Sequence, residues 1–122
     1  MFGYVIDPFK KTVTKVDWDG NYQSIYGHIG ADCFDTCRFS RQNRDCAFVD
    51  DEGLFKPDQA FFLIGEYPTP LAGKALVLGT DEAGDSISPE TFLTDLKVAW
   101  ASPVTPEVWV AEVWEPQLTT GQ

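Results

Sequence analysis

Apolar and polar positions alternate along much of this chain, and the period of that alternation sorts it into elements. Phe2-Gly3-Tyr4-Val5-Ile6 predicts a short strand closed by a turn at Asp7-Pro8. Thr12 to Trp18 alternates with period two, placing Thr12, Thr14, Val16 and Trp18 opposite Val13, Lys15 and Asp17. That rhythm predicts a second strand, paired to the first as a hairpin. The period then changes. Tyr22, Ile25, Tyr26 and Ile29 follow helical spacing, with Asp19 as the expected N-cap and Gly30 as the stop.

Cys33 to Phe39 alternates again, and Ser40 to Asp45 reads as a polar turn. Cys46-Ala47-Phe48-Val49 predicts a strand running into Asp50-Asp51-Glu52-Gly53, with Leu54-Phe55 as the returning limb of a hairpin. Ala60 to Ile64 and Ala75 to Leu78 are continuous apolar runs, as expected of buried strands. Pro68 to Gly73 is a rigid connector between them, and Gly79 to Asp85 an acidic turn. Ser88-Pro89-Glu90 has the form of a helix start, with Phe92, Leu93, Leu96 and Trp100 on its core side. Val108 to Trp114 has strand composition, and its flanking prolines, Pro103 and Pro106, suit a sheet edge. The expectation is an α+β fold, a mostly antiparallel sheet of short strands with about two helices. Residues 1–115 form one domain in this reading, and 116–122 a disordered polar tail.

Composition narrows the class. With 122 residues, 43% of them hydrophobic, the chain can build one core without disulfides or metal. Three cysteines point to reduced thiols, no signal-like start is seen, and no apolar run is long enough to span a bilayer; a cytoplasmic setting is expected. The net charge of −10 is one-sided: residues 1–48 balance six acids with six bases, whereas 49–122 hold thirteen acids against Lys56, Lys74 and Lys97. Direct nucleic-acid or anionic-membrane binding is therefore disfavoured, and a protein partner expected.

Candidate chemistry is thin. His28, Cys33, Cys37 and Cys46 are the right donors for tetrahedral zinc, or for a Cys-His nucleophile. Yet there is no C-x-x-C knuckle, and on a strand Cys33 and Cys37 would stand about 13 Å apart. Buried apolar thiols explain them better, so neither a cofactor nor a catalytic residue is assigned. Asp50, Asp51 and Glu52, with Asp81, Glu82 and Asp85, offer hard oxygens without an EF-hand pattern; solvated turns account for them. The same acids could imitate DNA phosphates and occupy a nucleic-acid-binding protein. Arg38, Arg41 and Arg44 recur every third residue and could clasp an anion, or simply pair with nearby acids. Trp109 and Trp114 fall on opposite faces of one strand, so a second subunit could cover one of them and a homodimer is admissible.

Asp7-Pro8 with Thr12-Val13, Ile25-Tyr26, Val49-Asp50-Asp51-Glu52-Gly53-Leu54, Pro70-Leu71-Ala72-Gly73-Lys74 and Leu76-Val77-Leu78-Gly79-Thr80-Asp81 resemble a set of small uncharacterised phage and proteobacterial proteins. The resemblance covers roughly residues 4–90. It implies a cytoplasmic accessory protein and supplies no catalytic residue. The expected function is a non-catalytic interaction or regulatory module. Its surface would draw on Asp50, Asp51, Glu52, Lys74, Asp81, Glu82 and Asp85, or on the Trp109/Trp114 edge.

Overall fold

The computed structural model describes residues 1–30, 34–50, 59–105 and 108–113. The first hairpin forms as the alternation predicts: β1 (Phe2–Asp7) pairs antiparallel with β2 (Thr12–Asp17), from Phe2 opposite Asp17 to Asp7 opposite Thr12. The buried Asp7 carboxylate accepts the N–H groups of Phe9 and Lys10 and so shapes the turn.

The helix α1 (Tyr22–Ile29) also lies where its stripe predicts. Its cap differs. Asn21 is the N-cap, its side-chain oxygen accepting the N–H of Gln23 at 2.9 Å, while Asp19 sits two residues earlier and accepts from Asn21 N at 2.8 Å and Ser24 Oγ at 2.9 Å. Gly30 ends the helix at φ +67, a conformation that side chains with a Cβ disfavour.

β3 (Phe34–Arg38) and β4 (Cys46–Asp50) pair antiparallel around the polar turn, Cys37 opposite Ala47 and Arg38 opposite Cys46. The expected hairpin partner of β4, Leu54-Phe55, lies outside the described residues. β4 has β3 along one edge and β7 (Ala75–Thr80) along the other. Beyond β4 come β5 (Phe61–Ile64), β6 (Leu71–Ala72), β7, β8 (Ser86–Ile87), β9 (Val98–Thr105) and β10 (Val108–Val113).

These strands form two antiparallel sheets rather than one. The first has the order β2-β1-β7-β4-β3 with β8 attached to β7; the second has the order β10-β9-β5-β6. Tyr4, Ile6, Ala47, Val49, Ala75 and Val77 of the first sheet meet Phe62, Ile64, Leu71, Val98 and Trp100 of the second in the main core. The other face of the first sheet presents Phe48, Leu76 and Leu78 to Ile25 and Ile29 of α1, with Trp18 closing the side. The result is three layers: helix, sheet, sheet. β7 is covered on both faces, which is why its sequence is a continuous apolar run.

The second predicted helix is absent. Between Pro89 and β9 the chain makes only a single 3₁₀ turn, Leu93–Asp95. The N–H groups of Glu90 and Thr91 are taken by the Asp45 carboxylate, and the carbonyl of Thr91 accepts from the Tyr4 hydroxyl at 2.8 Å. Trp100 belongs instead to β9, opposite Phe62. The fold is α+β, with one α-helix, of eight residues, among the described residues.

Candidate functional site

The described part of the chain that combines exposed, chemically varied side chains with a fixed backbone is the β3–β4 turn. Its anchor is Asp45, fully buried at the head of β4. One carboxylate oxygen accepts Glu90 N at 2.9 Å and the other Thr91 N at 2.7 Å. Asp45 N in turn donates to Asn43 Oδ1 at 3.0 Å, and Asn43 Nδ2 donates to Thr91 Oγ1 at 3.1 Å. A carboxylate withdrawn from water is tolerated only when hydrogen bonds replace its hydration, and here they do. The turn is thereby stitched to residues 90–91, which are distant in sequence. Burial, and then the nearby Asp45 charge, push the Tyr4 hydroxyl above its usual range.

Two clefts flank this turn. One, about 390 Å³, is lined by Phe39 to Asn43, Gly65, Glu66, Glu90 to Phe92 and Asp95 to Lys97, including the buried side chains Phe39 and Leu96. Phe92 belongs to its wall and is 72% exposed, the largest exposure among the described large apolar side chains. Gly65, at φ +50, lies so close that a Cβ there would meet the Phe39 carbonyl oxygen at 2.6 Å. The close approach lets Glu66 N donate to that carbonyl while Gly65 N donates to Lys97 O, tying both walls together. The other cleft, about 510 Å³, is lined by Arg38, Arg41, Arg44, Gln42, Asn43, Thr80, Asp81, Glu82, Ile87 and Glu90.

The residues singled out from sequence are dispersed. Among the described residues no group of three His, Cys, Asp or Glu side chains is placed to hold a metal ion. Cys37 points into the core between the sheets, while Cys46, one step from the inward-facing Ala47, takes the opposite face of the first sheet. His28 lies on α1, and Cys33 lies outside the described residues. The zinc or Cys-His set is therefore not assembled from His28, Cys37 and Cys46. Burial pushes both described thiols up, the opposite of what a nucleophilic cysteine requires.

His28 does share a shallow surface cleft with Met1, Asp17, Trp18, Asp19 and Ser24. A hydroxyl, an imidazole and carboxylates thus meet there. The Ser24 hydroxyl, however, hydrogen-bonds Asp19 and the Asn21 carbonyl oxygen, a helix-start network, and no bond joins it to His28.

The acids divide between two ends of the first sheet. Asp50 and Lys74 follow the Val49–Ala75 pair at one end, while Asp81, Glu82 and Asp85 occupy the other, about 23 Å away at strand spacing. Asp81 serves its own loop, accepting Ala83 N and Asp85 N at 2.9 Å each. Asp51 and Glu52 lie outside the described residues. Trp109 falls on β10, in register with Pro103 at the end of the second sheet; Trp114 and the tail 116–122 lie outside the described residues.

Sequence reasoning missed Asp45 and put Phe92 on the core side of a helix, whereas the chain there makes only a 3₁₀ turn and leaves the ring exposed. Asp45 closes a polar turn directly before an apolar strand, but the amides it serves lie 45 and 46 residues away and leave no local mark. Among the described residues no helix is long and apolar enough to cross a membrane.

Comparison with known proteins gives kinship without an activity. A family model described as a domain of unknown function, DUF3846, matches residues 1–99. The uncharacterised protein y4iR of Sinorhizobium fredii (strain NBRC 101917 / NGR234) is 31% identical over 98 residues, covering 78% of this chain and 59% of that protein. The chain therefore spans little more than half the length of that curated relative. No solved structure matches. The expected kinship with uncharacterised small proteins is met at this level, and the matched span takes in both walls of each cleft around the β3–β4 turn: the chain belongs to the DUF3846 family.

Proposed function

We propose that this protein is a non-catalytic recognition module, an accessory protein of phage or bacterial origin that acts in the cytoplasm by holding a protein partner. The observation that carries the reading is the cleft bounded by Phe39, Gly65 and Leu96 with Phe92 standing exposed in its wall. Exposing an aromatic ring to water forgoes roughly 1.5–3 kcal/mol of burial, and a partner's apolar side chain seated beside it recovers that. Arg41, Glu66, Glu90 and Lys97 around the cleft supply polar contacts of both signs, the usual composition of an interface rim. Separation of His28, Cys37 and Cys46 supports a binder over an enzyme built on those groups.

The test compares Phe92→Asp with Phe9→Asp, an equally drastic change at another exposed ring (53%). Captured proteins from the native host are identified by mass spectrometry. A partner retained by wild type and Phe9→Asp but lost by Phe92→Asp is the expected result. Identical capture by all three proteins refutes the cleft as the docking site.

A further inference from the structure

We propose that the arginine-lined cleft on the other side of the β3–β4 turn binds a compact phosphate-bearing small molecule. Arg38, Arg41 and Arg44 are one third of the nine basic side chains in a protein of net charge −10, and all three line one space of about 510 Å³. Their partners matter more than their number. Arg38 Nη2 donates to the Asn43 carbonyl oxygen at 3.3 Å, and Arg44 Nη1 donates to the Asp81 carbonyl oxygen at 3.2 Å. A backbone carbonyl orients a guanidinium but carries no net charge, and among the described residues neither cation has a carboxylate within salt-bridge distance. Arg41 contacts Glu66 at 3.4 Å, a pair exposed on both sides and readily exchanged for a better anion.

The backbone beneath them is fixed by the Asp45–Asn43–Thr91 network and by Gln42 N donating to Ser40 Oγ, so little ordering remains to be done on binding. Each guanidinium presents a planar fork of donors matched to phosphate oxygens. Gln42, Asn43 and Thr80 line the same space and can hydrogen-bond further oxygens.

The carboxylates in the wall decide the kind of ligand. Asp81, Glu82 and Glu90 also border the cleft. A long polyanion would have to run its charge past them, which disfavours nucleic acid. A small molecule can instead place its phosphate on the arginines and its hydroxyl or amino groups on the carboxylates. The chemistry fits a phosphorylated, donor-bearing metabolite rather than a polymer. The site shares Arg41, Gln42, Asn43 and Glu90 with the Phe92 cleft, but of the two clefts Arg38, Arg44, Asp81 and Glu82 line only this one, so Arg38→Gln and Arg44→Gln test it apart from Phe92→Asp.

Inorganic pyrophosphate and ribose 5-phosphate serve as probes, titrated calorimetrically and by NMR into the full chain at fixed ionic strength, with a twelve-nucleotide single-stranded DNA as comparison. Submillimolar binding of a small probe is expected, with amide shifts confined to residues 38–45 and 80–90. Arg38→Gln and Arg44→Gln should each weaken it about tenfold, whereas Lys97→Gln, the same change of net charge at a residue lining only the other cleft, should leave it within twofold. Circular dichroism verifies that each variant folds. No binding at millimolar probe, equal loss in Lys97→Gln, or tighter binding of the oligonucleotide overturns the proposal.

Discussion

Replacement of Asp45 is the sharpest test of how this molecule is held together. The side chain is fully buried and accepts two backbone N–H groups, one per oxygen, at 2.9 and 2.7 Å. Asp45→Ala leaves both amides without an acceptor, at about 1–3 kcal/mol each. A small cavity adds to that loss, while relief from holding a charge away from water offsets part of it. The expected net destabilisation is about 3–5 kcal/mol, a large share of the roughly 5–15 kcal/mol typical of a domain. Asp45→Asn keeps the volume and one acceptor but turns an N–H₂ toward a donor, so about 2 kcal/mol is expected. Urea unfolding at neutral pH measures both, and a fall in Tm of about 4 °C per kcal/mol should accompany them. Hydrogen exchange supplies an independent readout: the Glu90 and Thr91 amides should be protected in the wild type and become fast in Asp45→Ala. A loss below about 1 kcal/mol for Asp45→Ala, or unprotected Glu90 and Thr91 amides in the wild type, would refute the clamp.

Three further outcomes are expected. Gly79→Ala should destabilise by about 1–3 kcal/mol in thermal melts, because a Cβ there would sit 2.5 Å from the Ser88 carbonyl oxygen and 3.2 Å from Asp45 Oδ1. Cys37 and Cys46, together with Tyr4, ionise less readily folded than unfolded, so their stabilising contribution is complete below the unfolded values of 9.0 for a thiol and 10.0 for a phenol and is lost as pH rises through the folded ones. Melts should be flat from pH 7 to about 8.5 and fall above about 9, with Cys37 and Cys46 slow toward iodoacetamide at neutral pH. Asp19 shows the opposite sign: hydrogen bonds from Asn21 N and Ser24 Oγ hold its carboxyl below the usual range, so Asp19→Asn should flatten the acid limb of the stability profile below about pH 4 and leave neutral activity in any binding assay unchanged.

The hairpin of β1 and β2, the helix at Tyr22–Ile29 and the buried run of β7 were legible because each is written in a local period. What pairs with what was not. β1 docks on β7, and β4 takes β3 and β7 as neighbours, choices governed by which faces of distant strands are apolar. The region after Ser88 shows how two periods can overlap. Leu93, Leu96 and Trp100 fit a helical face, yet Leu96, Val98 and Trp100 also alternate, and all three are buried in the strand-side core. Tertiary demands on Glu90 and Thr91 settled the contest in favour of the strand. Of the site, Arg38, Arg41 and Arg44 were visible as a spacing, but the orientation of Arg44 by the Asp81 carbonyl oxygen depends on a loop 37 residues away folding beside it. Phe92 was assigned to the core side of a helix, and because that helix does not form the ring ends exposed instead.

The pairing of Tyr4 with Val77 carries a consequence for biosynthesis. During synthesis the hairpin of β1 and β2 is complete about sixty residues before its neighbour β7 exists. Throughout that interval the apolar flank of β1 has no cover of its own kind, and two-stranded ribbons are barely stable alone. No stopping point before β7 yields a self-sufficient piece, so nascent chains halted short of it should be favoured clients of chaperones and proteases.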